Sequence, residues 1–251
     1  MRFIRLFLAL LICSLAQAAV PTFVNISVIA ADATPHVDLA VNCGAHLTND
    51  IFLLQAWNRD VDETATVTGW TVVTGSPVDR GTTARYWAWW KRAASASETD
   101  PVVDFSGTTG DAYGVCTVYR GAITTETPWE VIGTATTGTA DPASLATISS
   151  LTDNSLIVIA LSGEDNNNAG CIATGTDPAA YTEHYQETGT GADAMNCNSE
   201  FERVTAGATG TVSVDFDTAV PIGWGAWLMA LKPEPASSCA QSIALMGVGC
   251  R

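Results

Sequence analysis

The sequence predicts an all-β protein: an antiparallel two-sheet β-sandwich, jelly-roll-like, in one large domain. Three observations carry this. Short runs rich in Val, Ile, Thr and aromatic residues recur along the chain, punctuated by Gly, Pro, Asn and Asp. No long segment keeps the apolar period of a helix free of β-branched residues, so helix should be scarce. Hydrophobic residues make up 47% of the chain, enough for a substantial core. About ten strands without helices resolve most simply as two packed sheets, with a closed barrel as the alternative.

The chain opens with Met1-Arg2-Phe3-Ile4-Arg5, an apolar run from Leu6 to Leu15, and Ala16-Gln17-Ala18. A basic start, a short greasy centre and an Ala-x-Ala close are the parts of a secretory signal peptide. The run is half of the ~20 residues a membrane span needs. Residues 1–18 are therefore read as a signal peptide, with a retained signal anchor as the alternative. No later segment is long and apolar enough to cross a bilayer. The expected location is secreted, extracellular or at the cell surface.

Strands are expected at 22–29, 50–57, 69–74, 83–92, 102–105, 112–120, 144–149, 155–162, 198–204, 211–216 and 224–232. In Thr211-Val212-Ser213-Val214-Asp215-Phe216 apolar and polar residues alternate, as in a strand with one face buried. Ser155-Leu156-Ile157-Val158-Ile159-Ala160-Leu161 is apolar throughout and should lie centrally, covered on both faces. The sandwich is assigned to 19–232. Pro233-Glu234-Pro235-Ala236-Ser237-Ser238 reads as a linker, followed by a cysteine-closed tail to Arg251. The two halves share a loose strand–turn–strand rhythm without a repeat of fixed period.

The formal charge is −15; removing Arg2 and Arg5 with the leader leaves 9 basic against 26 acidic residues, near −17. Such a surface repels nucleic acid and anionic lipid. It suits neutral glycans, cations, basic partners or simple solubility. Six cysteines remain in the mature chain: Cys43, Cys116, Cys171, Cys197, Cys239 and Cys250. In an exported protein they imply disulfides, with fifteen possible pairings. Spacing favours Cys239 with Cys250, Cys171 with Cys197, and Cys43 with Cys116. A zinc site is the rival, but no CxxC is present and the histidines are only His36, His46 and His184.

A set of short motifs occurs in a recognisable order. Asn49-Asp50-Ile51-Phe52-Leu53-Leu54 precedes Gly69-Trp70-Thr71-Val72-Val73 and Arg85-Tyr86-Trp87-Ala88-Trp89-Trp90-Lys91-Arg92-Ala93. Asp100-Pro101-Val102-Val103-Asp104-Phe105, Val118-Tyr119-Arg120-Gly121-Ala122 and Thr127-Pro128-Trp129 follow. Asp153-Asn154-Ser155-Leu156-Ile157-Val158, Ala206-Gly207-Ala208-Thr209-Gly210-Thr211 and Trp227-Leu228-Met229-Ala230-Leu231-Lys232-Pro233 close the series. This order resembles the β-sandwich modules of phage virion proteins and of uncharacterised bacterial surface and secreted proteins. The resemblance implies a jelly-roll-type sandwich with a structural or adhesive role, and it brings no catalytic residues. The leader departs from ordinary virion proteins and points to a surface, filament or secreted role.

Candidate sites were weighed on chemistry. No G-x-S-x-G, HExxH or Walker loop is present. His184 stands near Glu183 and Glu187, an acid/base arrangement or a solvated loop. In Tyr86-Trp87-Ala88-Trp89-Trp90, alternation sends Trp87 and Trp89 to one face, where two indoles could stack on a sugar; the alternative buries both faces. Asp60, Asp62 and Glu63 form one acidic loop, and Glu164 and Asp165 head another with Asn166, Asn167 and Asn168. Asn196, Asn198 and Glu200 lie near Cys197. Oxygen-rich loops of this kind could hold calcium, although none has the EF-hand order; no other cofactor is expected. Asn25-Ile26-Ser27 is a glycosylation sequon inside a predicted strand. Phe23–Ile29 could instead serve a neighbouring sheet edge.

The sequence thus predicts a non-catalytic extracellular structural or adhesive module whose partners are copies of itself or other surface proteins. A carbohydrate-binding module is the alternative. Intact-mass analysis of the exported protein should find Ala19 at the N-terminus; a chain still carrying residues 1–18 would replace the cleaved leader with an anchor.

Overall fold

The structure is a computed structural model that describes residues 18–32, 38–59, 63–80, 82–106, 111–163, 171–187, 194–216 and 223–236. Residues 1–17 of the expected leader, the acidic residues Asp60, Asp62, Glu164 and Asp165, and Cys239 and Cys250 lie outside the described residues. The first half holds β1 (Thr22–Ile26), β2 (Ala30–Asp32), β3 (Asp38–Ala40), β4 (Ile51–Asn58), β5 (Ala65–Thr66), β6 (Thr71–Val72), β7 (Val78–Arg80), β8 (Ala84–Arg92), β9 (Val102–Phe105) and β10 (Ala112–Arg120). The second holds β11 (Trp129–Ile132), β12 (Thr136–Gly138), β13 (Ala143–Leu145), β14 (Ser155–Gly163), β15 (Ile172–Gly175), β16 (Thr182–Glu187), β17 (Met195–Arg203), β18 (Val212–Asp215) and β19 (Trp224–Leu231).

Every pairing is antiparallel and the fold is an all-β sandwich, as the sequence predicts. There are four sheets rather than two. A seven-stranded sheet runs β1-β10-β4-β8-β6, with β2 also on β10 and β7 also on β8. A six-stranded sheet runs β11-β19-β14-β17-β16, with β12 also on β19. Two three-stranded sheets, β3-β9-β5 and β13-β18-β15, complete it.

These orders are the same order twice. Replacing β1, β10, β4, β8 and β6 by β11, β19, β14, β17 and β16 turns one large sheet into the other, and the small sheets correspond likewise. Irregular features repeat too. The register slips at the same place in each half, between Phe23 and Asn25 on β1 and between Trp129 and Val131 on β11. Asn49 and Asn154, just before β4 and β14, both take a left-handed backbone, φ 72° and 63°, a conformation that asparagine tolerates better than most residues. Their amides donate to carbonyls just past the ends of β8 and β17, those of Ala93 and Val204.

Alternation explains the layering. On β4, Ile51, Leu53 and Trp57 face a central core, while Phe52, Leu54 and Ala56 face an outer one. On β14, Leu156, Val158 and Ala160 enter the same central core, and Ile157, Ile159 and Leu161 enter the second outer core. The two large sheets therefore pack face to face, and each small sheet covers the outer face of its own large sheet. Each fully buried aliphatic side chain stabilises this by ~1.5–3 kcal/mol. Gly225 of β19 permits the close approach: a Cβ there would lie 2.5 Å from Tyr86 Cγ.

Two predicted features hold closely. β14 is buried along its whole length, and Val212, Val214 and Phe216 are buried while Asp215 is exposed. Others are corrected. The strand expected at 22–29 ends early: β1 stops at Ile26, where Ser27 hydrogen-bonds Cys116 through both its amide and its hydroxyl, and β2 begins only at Ala30. The short strands β3, β5, β7, β11, β12 and β15 escape prediction because most are edge strands of two to four residues whose composition is that of turns. β1 pairs with β10 of its own chain.

A polar seam crosses the central core. Gln55 Nε2 donates to Ser162 Oγ at 3.0 Å, and Asn196 Nδ2 donates to the Leu161 carbonyl at 3.0 Å and reaches Gln55 Oε1 at 3.2 Å. Beside it, Asn198 Nδ2 donates to Thr117 Oγ1 at 2.6 Å. All of these side chains are buried. Removing one partner strands the others, which costs about 1–3 kcal/mol. Gln55→Ala should lower stability by that amount in denaturant unfolding, and a double-mutant cycle with Ser162→Ala should show non-additive coupling; additive losses would dissolve the seam into independent contacts.

Candidate functional site

The tryptophans proposed as a sugar platform do not reach solvent. Trp87 and Trp89 are 3% and 2% exposed. They lie parallel, ring centroids 6.5 Å apart, and Trp87 meets Phe105 edge-on at 5.5 Å. The cause is the small sheet β3-β9-β5, which covers this face of β8; Tyr86, Ala88 and Trp90 turn to the central core. Both faces of the strand are packed, so these indoles are core residues.

The oxygen-rich candidates also separate. Asn196 and Asn198 belong to the polar seam. Their amide-rich run is a strand whose alternate residues, Met195 and Cys197, enter the second outer core. Glu63 is buried, its Oε2 at 3.5 Å from Ser106 Oγ and its carbonyl accepting from Arg85 Nη1 at 2.7 Å. Among the described residues no group of three or more His, Cys, Asp or Glu side chains gathers as a metal site. The sequon residue Asn25 is committed to its own fold, donating from Nδ2 to the Ala45 carbonyl at 2.6 Å.

Two of the expected disulfides are formed, Cys43–Cys116 and Cys171–Cys197. Each ties a residue beside a small-sheet strand to a long strand of the large sheet beneath it.

His184 lies in a strand, β16, rather than a loop. Neighbouring side chains there diverge: Glu183 accepts the Ala173 amide at 3.2 Å on the outer side, whereas His184 faces inward. Its ring stacks on Phe23 of β1, centroids 3.5 Å apart at 6°, and its Nε2 is 3.5 Å from Glu200 Oε1. Phe23 in turn meets Tyr119 edge-on at 6.4 Å. Burial, and then the charge of Glu200, push the Tyr119 phenol well above its usual range. It stays neutral at any physiological pH.

This constellation sits where the halves meet, and beside it opens a cleft of about 710 Å³. Pro21, Thr22 and Phe23 form one wall; Tyr181, Thr182, Glu200, Phe201, Glu202 and Val204 form much of the other. Tyr181 and Phe201 meet edge-on at 6.0 Å. Burial raises the Tyr181 phenol to about 12, with Arg203 opposing and Asp177 adding to the shift. Arg203 itself is held by Asp177 at 2.9 Å. The cleft therefore offers aromatic walls, one neutral phenol and two carboxylates. Of its residues, the sequence singles out Glu200, as an oxygen ligand, and Phe23, as the start of an edge-serving segment. The available signal was the pair Glu200 and Glu202, both acidic and on one face of a predicted strand.

Comparison with known proteins finds no matching family model, no matching curated protein and no matching solved structure.

Because Trp87 is packed on both flanks, Trp87→Ala should cost about 3–5 kcal/mol in stability, read by thermal or denaturant unfolding. A stable, fully folded Trp87→Ala protein would return this indole to the surface.

Proposed function

We propose that the chain is a non-catalytic structural or adhesive module of an extracellular assembly. The observation that carries this reading is the duplication: two like-folded halves joined through their broad faces, each stapled by its own disulfide. Such a body is stiff. It presents short, sparsely apolar outer sheets, and it directs its longest strands and largest side chains into cohesion. The motif order, which resembles that of virion and surface modules, supports the same role, and the leader-like N-terminus and the disulfides support an exported location. The sugar-binding alternative rested on Trp87 and Trp89 and loses its basis with their burial.

Assembly would proceed through sheet edges, where unpaired backbone groups template another strand. A mature chain near −17 repels its own copies, so contacts between copies should strengthen as salt screens that charge. Sedimentation velocity and electron microscopy of the mature protein at low and high salt test this. Growing oligomers or filaments at high salt are expected. A monomer at every concentration and salt level would remove the self-assembly reading.

A further inference from the structure

The halves meet along two equivalent junctions, and comparing them gives the cleft a ligand. Register fixes the correspondence. Phe23 lies opposite Tyr119 as Trp129 lies opposite Leu231. Trp90 and Arg92 on β8 lie opposite Leu53 and Ile51, as Glu200 and Glu202 on β17 lie opposite Val158 and Leu156. Glu200 and Glu202 are thus the counterparts of Trp90 and Arg92.

At the β8–β11 junction those positions close the gap. Trp90 packs on the central core, and Arg92 Nη2 donates to the Glu126 carbonyl at 2.9 Å, just ahead of β11. At the β17–β1 junction the same positions carry carboxylates, and the 710 Å³ cleft stands open between them and residues 21–23. Glu200 Oε2 is buried without a hydrogen bond among the described residues.

A cation is the natural complement, and the chain has none to spare among its described residues. Arg59, Arg85, Lys91, Arg120, Arg203 and Lys232 are ion-paired. Arg92 is engaged as above, and Arg80 makes contacts of its own. His184 Nε2 stands 3.5 Å from Glu200 Oε1, but no described arginine or lysine is left for the glutamate pair, so the cleft is open to one from another molecule. The cleft is bordered by β1 and β16, both terminal strands of their sheets, so an extended backbone can lie along it.

We propose that this cleft binds an extended basic segment of a partner protein. An arginine of that segment would enter between Glu200 and Glu202, as Arg92 closes the other junction, with its guanidinium plane against the aromatic walls. The proposal rests on the reading of the chain as a binding and assembly module, and supplies the chemistry of one partner.

The test is fluorescence anisotropy of a labelled hexapeptide, Gly-Arg repeated three times, titrated with the mature protein at concentrations where it is monomeric. A Gly-Ser hexapeptide serves as the uncharged control. Saturable binding of the arginine peptide alone is expected. Glu200→Gln with Glu202→Gln should weaken it about tenfold or more, and Thr182→Lys, at an exposed cleft position, should weaken it comparably. Asp38→Asn with Asp104→Asn, which removes the same charge from a different acidic cleft, should change it less than about twofold. Glu202 and Thr182 are exposed, so Glu202→Gln and Thr182→Lys decide the matter if the double variant misfolds. Absence of saturable binding, or equal weakening by both neutralised pairs, overturns the proposal. Since the titration is read on monomers, its failure leaves the assembly test standing, and the reverse also holds.

Discussion

The face-to-face contact of the two large sheets is the constraint on which the rest depends. Each sheet must bury both of its surfaces, and a three-stranded sheet covers only one of them. The inner surfaces of β4, β8 and β10, with Trp57, Tyr86 and Tyr119, find cover in β14, β19 and Trp129 of β11. The central core is consequently shared, and each half requires the other. The polar seam of Gln55, Ser162 and Asn196 fixes the relative register of the sheets. An entirely apolar contact could slide, whereas a slip here would leave amides buried without partners.

Duplicated topology does not mean duplicated chemistry. Equivalent positions have diverged at the junctions, where Trp90 matches Glu200 and Arg92 matches Glu202. One junction uses those positions for cohesion. The other places a histidine, a carboxylate and a phenol beside open aromatic walls, where a cleft of about 710 Å³ opens between the halves.

Strand identity was legible where one physical signal dominated. The unbroken apolar run of β14 and the alternation of β18 both reported burial directly, and the two described disulfides followed from cysteine spacing. The duplication was partly written in the sequence: Val103-Asp104-Phe105 recurs as Val214-Asp215-Phe216, with both phenylalanines buried. Loops of unequal length shift the offset from strand to strand, so no fixed period appears. Trp87 and Trp89 could not be read correctly, because alternation shows that a strand has two faces but not how many layers cover them. Asn196 and Asn198 resembled ion ligands because buried and liganding amides look alike until the opposite sheet is in place. The cleft was invisible because its walls come from residues at opposite ends of the chain.

The two described disulfides both lie within a half, and neither crosses the central contact. This arrangement sets how the molecule yields under load. Tension along the chain reaches the non-covalent face between the large sheets first, and there the halves can part while still tethered by the stretch from Gly121 to Pro128. Beyond that point the bridges act as stops. One spans a sequence separation of 73 residues and the other 26, and at roughly 3.5 Å per extended residue most of that length is withheld until a sulfur–sulfur bond is broken. The protein therefore yields in stages: first at a face that can close again, then by unravelling of the residues outside the bridged loops, while those inside them stay short.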